Sequence, residues 1–172
     1  MDRALIILVV VALAFAGAMT ALWNDERATD PGEVTSFLID QAPDAERTAR
    51  RVLVSIVNYA PDSVDEEKDD LLGLATGDFR EDYEDLLSGG LGEALEKTDT
   101  RSEGEIVNGP DVAFTSATRG SAVARLVQDI TSLTASGDRR VLLVMRLGLV
   151  LEDDTWKADK LEILSQQTET QF

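Results

Sequence analysis

One apolar run constrains this chain before anything else: Ala4 to Trp23 reads ALIILVVVALAFAGAMTALW, and nothing after it repeats such a stretch. At about 1.5 Å per residue, a helix of this length spans the roughly 30 Å hydrocarbon core of a bilayer. The expectation is a transmembrane helix over 4–23 that tethers everything after it. Arg3 precedes the run, while Asn24, Asp25, Glu26 and Arg27 follow it. Because basic residues collect on the cytoplasmic side, this asymmetry predicts a single-pass protein of the cell membrane, with residues 1–3 inside and the domain extracytoplasmic. The alternative is a cleaved signal peptide, for which Ala14-Phe15-Ala16 has the small-x-small pattern. Apolar residues continue past that point to an interfacial Trp23, which suits an anchor.

Charge narrows the function classes. The formal net charge of −17 belongs to the segment after Trp23, since Asp2 and Arg3 cancel. Such a surface repels phosphates, which excludes nucleic acid and anionic headgroups as partners. The chain has no Cys and no His. Disulfides, thiol nucleophiles, cysteine metal sites and the commonest general base are therefore absent, and no cofactor or metal is expected. About 150 residues follow the run, enough for one domain with a core and too few for two ordinary ones.

Helical signals come first. Asp30-Pro31-Gly32-Glu33 has the spacing of a helix start, and Pro43 interrupts or restarts that helix. Residues 24–44 are thus expected as a juxtamembrane helical linker, ahead of an α+β domain over 45–164 and a polar tail over 165–172. From Ala45, the positions Ala49, Val52, Leu53, Ile56, Val57 and Ala60 share one helical face, opposite Arg47, Arg50 and Arg51. Pro61 ends this helix near Tyr59. Ser63 with Glu66 makes a second capping box for a short helix through Leu74, and a further helix carries Phe79, Tyr83, Leu86 and Leu87 to Gly89-Gly90. Leu91, Ala94 and Leu95 add a turn or two.

From Arg101 the period changes to alternation. Strands are predicted near Ser102 to Asn108, Val112 to Thr118, Ser121 to Ala135, Arg139 to Leu151 and Trp156 to Leu164, with turns at Gly109-Pro110, Arg119-Gly120, 136–138 and 152–154. The nearly continuous apolar run Val141 to Leu151 predicts a central strand covered on both faces. Helices followed by an antiparallel sheet make an α+β domain. Two or three helices on a curved sheet are similar to the nuclear-transport-factor-2-like (NTF2-like) or cystatin-like fold, in which the Val52, Leu53, Ile56 stripe would lie across the concave face. The space between helix and sheet would be either an apolar cavity or a packed core.

Several short motifs sit on this frame: Val57-Asn58-Tyr59 leading to Asp62, Ala75-Thr76-Gly77-Asp78-Phe79 with Tyr83 four residues on, and Trp156-Lys157 with Asp159 in the closing hairpin. Together with the single N-terminal span they resemble the actinobacterial Mce-associated membrane proteins, over Ala4 to about Leu164. Asp153-Asp154-Thr155 stands where that family usually has a Gly-containing turn. The resemblance implies a non-catalytic accessory subunit that stabilises or coordinates an Mce-type importer of lipids such as fatty acids or sterols. Its partners would be the permease and Mce proteins of that transporter. The same architecture also resembles the periplasmic domain of a type IV secretion assembly factor, and a pocketed lipid carrier is the other alternative.

Each candidate residue has a plainer reading beside it. Tyr59, Phe79, Tyr83 and Trp156 could line a pocket for a lipid chain, but aromatics at these spacings ordinarily fill a core. Thr76-Gly77-Asp78-Phe79 reads as a turn in which Gly77 takes a positive backbone angle, Asp78 caps the next helix and Phe79 turns inward. Between Asp62 and Asp85 the net charge is −9, from eleven carboxylates against Lys68 and Arg80. Asp65, Glu66, Asp69 and Asp70 could form a docking face for a basic partner, or simply a solvated one. The order of these acids is not that of a calcium loop. Tyr59 or Tyr83 with Asp62 or Asp78 could mimic a carboxylate base and oxyanion hole, the pairing that ketosteroid isomerase uses. Their spacing selects no pair, so the chain is not expected to be an enzyme. Within the span, Ala14, Gly17, Ala18 and Ala21 form a small-residue stretch that permits close helix packing in lipid.

The topology is directly testable. The mature protein should retain residue 1, and protease supplied outside the membrane should digest the acidic domain. A mature N-terminus at Gly17 would identify the run as a removed signal.

Overall fold

The computed structural model describes residues 31–132 and 138–170. The expected span at 4–23, the Asp30 cap and the docking candidates Ala14, Gly17, Ala18 and Ala21 lie outside them. Among the described residues no helix is long and apolar enough to cross a membrane.

Four helices precede four strands: α1 Pro31–Val57, α2 Val64–Gly73, α3 Gly77–Ser88, α4 Leu91–Thr98, β1 Arg101–Ser116, β2 Arg119–Thr131, β3 Arg139–Glu152 and β4 Thr155–Thr170. The strands form one curved antiparallel sheet in the order β1-β2-β3-β4. This is the α+β arrangement expected, with several local corrections.

Pro43 neither interrupts nor restarts the helix, because α1 runs through it as one element of 27 residues. Residues 31–44 therefore belong to the helix that also enters the domain. Ser63 makes no side-chain cap hydrogen bond. The stretches Ser102 to Asn108 and Val112 to Thr118 are one strand, β1, and Gly109-Pro110 is a bulge within it. Pairing with β2 slips there and resumes at Asp111 opposite Val123. Gly109 takes φ +83°, and a Cβ on it would sit 2.7 Å from the Val123 carbonyl oxygen, so only glycine lets the strand kink this close to its neighbour. The β1–β2 turn falls at residues 117–118, one step before Arg119-Gly120. Residues 165–170 are strand and not tail: Ser165 pairs with Val144 and Thr170 with Arg139. Their polarity misleads because ladder hydrogen bonds are made by backbone whatever the side chain. Asp153 and Asp154 supply the final turn with φ +48° and +60°. Asp tolerates the left-handed region, which is how this hairpin closes without glycine.

The core lies between α1 and the concave face of the sheet. Val52, Leu53 and Val57 are buried, as are Leu126, Leu143, Met145, Leu147, Leu149 and Trp156 beneath them. β3 is buried at alternate positions only. It is an interior strand covered on one face, which corrects the expectation of two.

α1 is seated at two points. Near its middle, Trp156 Nε1 donates to Gln41 Oε1 at 3.2 Å while the indole ring tilts against Phe114 at 5.3 Å. At its C-terminus Val57 presses on Gly104, where a Cβ would come within 2.6 Å of Val57 Cγ2. Trp156→Ala should cost about 3 to 5 kcal/mol. Gly104→Ala should cost about 1 to 3 kcal/mol through overpacking. Thermal or denaturant melting measures both, and a Trp156 variant melting with the parent would remove the closing strand from the core.

Candidate functional site

Two joints gather the motif residues, and both are built from helix ends meeting strands. The first is at the end of α1. Asn58 Nδ2 donates to the carbonyls of Val54 and Gly104, while Gly104 N donates to Asn58 Oδ1 at 2.9 Å, so an amide side chain pairs with β1 as a strand would. Tyr59 continues that pairing, since its backbone exchanges hydrogen bonds with Ser102 in both directions. Ser102 is buried and its Oγ donates to the Val57 carbonyl at 2.7 Å. Buried Gln128 donates from Nε2 to Ser102 Oγ at 2.8 Å. Burial pushes the Tyr59 phenol up, with the Ser102 hydroxyl as a smaller opposing influence. The Tyr59, Ser102, Gln128 set is thus a neutral hydroxyl and amide cluster on the concave wall. Its donors are met within the cluster and by the Val57 carbonyl, and it contains neither a carboxylate nor a cation.

The second joint is where α2 and α3 meet β4. Ala158 N donates to the Leu74 carbonyl and Thr76 N to the Ala158 carbonyl, each at 2.8 Å, which makes a short parallel bridge at Ala75. The Ala75–Phe79 and Trp156–Asp159 motifs, about eighty residues apart in sequence, are therefore two sides of one contact. Gly77 has φ +53°, as expected, and rests on the Asp159 backbone. It is the first residue of α3, so Thr76 occupies the cap position and Asp78 lies in the first turn. That corrects the capping role given to Asp78. Thr76 Oγ1 itself donates to Glu152 Oε1 at 3.0 Å, and Lys157 Nζ reaches Glu152 Oε2 at 3.3 Å. Phe79 is buried and stacks on Tyr83 with centroids 6.2 Å apart.

Asp159 sits at an irregularity in β4, directly over Gly148, whose missing side chain leaves it room. Arg119 Nη1 approaches its Oδ2 at 3.4 Å. Burial raises the Asp159 carboxyl above its ordinary range, and nearby Asp78 adds to this, whereas Arg119 and Lys160 pull it down.

The proposed acidic face is only partly placed. Asp69 and Asp70 are exposed on α2, while the side chains of Asp65 and Glu66 lie outside the described set. Asp82 on α3 is raised by burial first and then by its neighbours Asp78 and Asp85. Among the described residues no group of acids is placed to hold a metal ion. Asp62 bonds Arg101 at 3.3 Å and Asp78 lies near Asp159, so neither acid is seen paired with the Tyr59 phenol. Sequence reading passed over Ser102, Gly104 and Gln128. The signal for them was a polar or side-chain-free residue at an inward position of an alternating strand.

No protein-family model matches the chain, and no curated protein matches it. Solved structures do. An IcmL-like type IV secretion system protein from Legionella pneumophila aligns at 10% identity and TM-score 0.51, over 85% of this chain and 96% of that one. A scytalone dehydratase-like protein from Novosphingobium aromaticivorans aligns at 14% and 0.54, over 80% and 92%. A hexachlorocyclohexane dehydrochlorinase from Novosphingobium barchaimii aligns at 11% and 0.56, over 78% and 94%. The fold is NTF2-like. At these identities the likeness speaks for the fold alone, and the NTF2-like frame carries enzymes and a secretion component alike.

The raised carboxyl gives a signed test. Protonating Asp159 favours the folded state, so its contribution is present at low pH and is lost as pH rises through the folded pKa. Asp159→Asn should therefore fare best against the parent near pH 7 and lose ground to it as the pH falls through the raised folded pKa toward the ordinary carboxyl value of 3.8. A melting difference that stays constant across that range would contradict the assignment.

Proposed function

We propose that this chain is a membrane-anchored, non-catalytic accessory subunit of a multi-protein envelope complex, and specifically of an Mce-type lipid importer. The observation that carries the reading is where the motif residues go. Asn58 and Tyr59 bind β1, Thr76 binds Glu152, Asp159 binds Arg119, and Phe79 and Trp156 fill the core. With the motifs spent on joints, what remains for function is the anchor and the surface. The sequence resemblance then supplies the partner, which is the permease and Mce proteins of the transporter. In this reading residues 4–23 form a span from a cytoplasmic N-terminus, the domain stands outside the cell membrane, and Ala14, Gly17, Ala18 and Ala21 face a partner helix. The acidic residues Asp65, Glu66, Asp69 and Asp70 are the second docking candidate.

A second reading, a secretion-system assembly factor, is favoured by the likeness to the IcmL-like protein, which extends over nearly all of that chain.

Purification of the full chain from native membranes in mild detergent, followed by mass spectrometry, separates the two. Mce permease and Mce proteins among the recovered subunits support the first, and secretion components support the second. Replacing Gly17 by Leu should lower that recovery and lipid uptake together while leaving the melting of the domain unchanged, because added bulk holds a partner helix away. Full function from a chimera with an unrelated span would reduce the helix to a tether.

A further inference from the structure

The chain has three asparagines, and the two that the structure describes are set in opposite ways. Asn58 precedes Tyr59 and its amide is fully engaged: the nitrogen donates to the Val54 and Gly104 carbonyls, and the oxygen accepts from Gly104 N at 2.9 Å. Asn108 precedes Gly109 in β1. It is exposed, and its side chain makes no hydrogen bond among the described residues.

An asparagine followed by glycine carries its own reaction partner. The backbone nitrogen of the following residue can attack the side-chain carbonyl carbon, and a side chain on that residue ordinarily shields the nitrogen. Glycine has none. In an unbroken strand, ladder bonds on either side hold the two groups apart. At Asn108 the pairing with β2 slips on both sides, between Ile106 and Asn108 and again between Asn108 and Asp111. Such a bulge leaves a residue unpaired and the ladder locally disrupted. Glycine is also what the place demands, since φ at Gly109 is +83° and a Cβ there would lie 2.7 Å from the Val123 carbonyl oxygen and 3.0 Å from Asp111 N. The close approach that requires glycine at the bulge therefore leaves its nitrogen bare beside Asn108.

The surroundings also suit the product. Asn108 lies opposite Arg125 of β2, and Arg125 in turn lies opposite Val144 of β3. Residues directly opposite share one face of the sheet, with Cβ atoms about 5 Å apart. Arg125 is exposed and makes no ion pair among the described residues, whereas Arg140 and Arg146 on the same face pair with Asp129 and Glu162. A carboxylate at position 108 therefore meets a cation, in a chain whose net charge of −17 resists a new anion at most other places. From the helix layer, Arg50 Nη2 of α1 donates to the Gly109 carbonyl at 3.1 Å. A change in the backbone at 108–109 thus reaches α1.

We propose that Asn108 is a site of spontaneous deamidation, and that the tie between Arg50 and Gly109 is where the modification is felt. Gly109 N bonds to Asn108 Cγ, and the Cγ–Nδ2 bond breaks. The Gly109 proton passes through solvent to the leaving nitrogen, which departs as ammonia. Water then opens the cyclic imide. Opening at Cγ leaves an aspartate, whereas opening at the backbone carbonyl leaves an isoaspartate. One water enters and one ammonia leaves, with no oxidant or reductant. Both products set a negative charge opposite Arg125. The isoaspartate also lengthens the main chain by one methylene inside the bulge and carries the Gly109 carbonyl off Arg50.

Full-length protein in mild detergent, aged in mildly alkaline buffer, tests this. Trypsin releases position 108 within Ser102–Arg119 and position 58 within Val52–Lys68. By mass spectrometry the first peptide should pass from amide to acid, with ammonia released in equal amount and part of the product labelled by isoaspartyl methyltransferase. The second should stay an amide. The same chain unfolded in urea is the reference, and native Asn108 should convert at a comparable rate. An Asn108 that stays an amide in the native chain while the unfolded chain converts would overturn the proposal, because the strand would then hold the two groups apart. Asn108→Gln should stop the ammonia release and, at an exposed position, keep the native circular dichroism. Asn108→Asp should melt above the parent at low salt, and that gain should vanish when Arg125→Gln is added. The isoaspartate fraction should melt below the parent, and the loss should shrink in an Arg50→Gln background. An equal loss in both backgrounds would remove Arg50 as the point where the modification is felt.

Discussion

Everything else in this fold is arranged around the seating of α1 across the concave face. A helix can lie so close to a sheet only where the sheet gives up side-chain volume, and Gly104 does so under Val57. Asn58 then secures the approach by pairing its amide with the Gly104 backbone in both directions. At the other contact Trp156 fills the space beneath the helix and spends its only polar hydrogen on Gln41. Burying an indole while satisfying its N–H yields the large apolar gain without an orphaned donor. Between these two seats the stripe of Val52 and Leu53 meets Leu126, Met145 and Leu147 with almost no surface left to water.

The second joint solves a different problem. α2 and α3 lie at the margin of the sheet, and the chain between them must leave one helix and start another while touching β4. The bridge at Ala75 fixes that touch, and the positive backbone angle of Gly77 turns the chain into α3 so that Phe79 points into the core. The bridge also pairs part of an edge strand that would otherwise offer its backbone to other chains. Ion pairs contribute less to this architecture. Several, such as Arg47 with Asp44 and Arg80 with Glu84, are exposed and lie within one helix, where each is worth a fraction of a kcal/mol.

Charge is distributed unevenly over the two layers. The helices α2 and α3 carry the long acidic stretch, in which Asp82 is raised by burial and by its own acidic neighbours, while on the outward sheet face Arg140 pairs with Asp129 and Arg146 with Glu162. One side of the molecule is therefore dominated by like charge, while the outward sheet face mixes charges of both signs.

The class of the fold was legible in the residues alone, because helical and alternating periodicity are local properties that survive without a partner. So were the inward stripe of α1, the buried Phe79 and Trp156, and the positive backbone angle at Gly77. The turn signals were read too literally. Gly109-Pro110 marks a bulge, Pro43 sits inside a helix, and the polar residues 165–170 form a strand, since backbone pairing across a sheet is decided by the neighbouring strand. Which residues meet was settled only in three dimensions. Ser102 with Gln128, Ala75 with Ala158, and the outward cluster around Arg125 each join distant parts of the chain. Periodicity reports which face of an element is apolar, but the register between elements is set by close approaches such as Val57 on Gly104, and these exist only once the helix has been laid on the sheet.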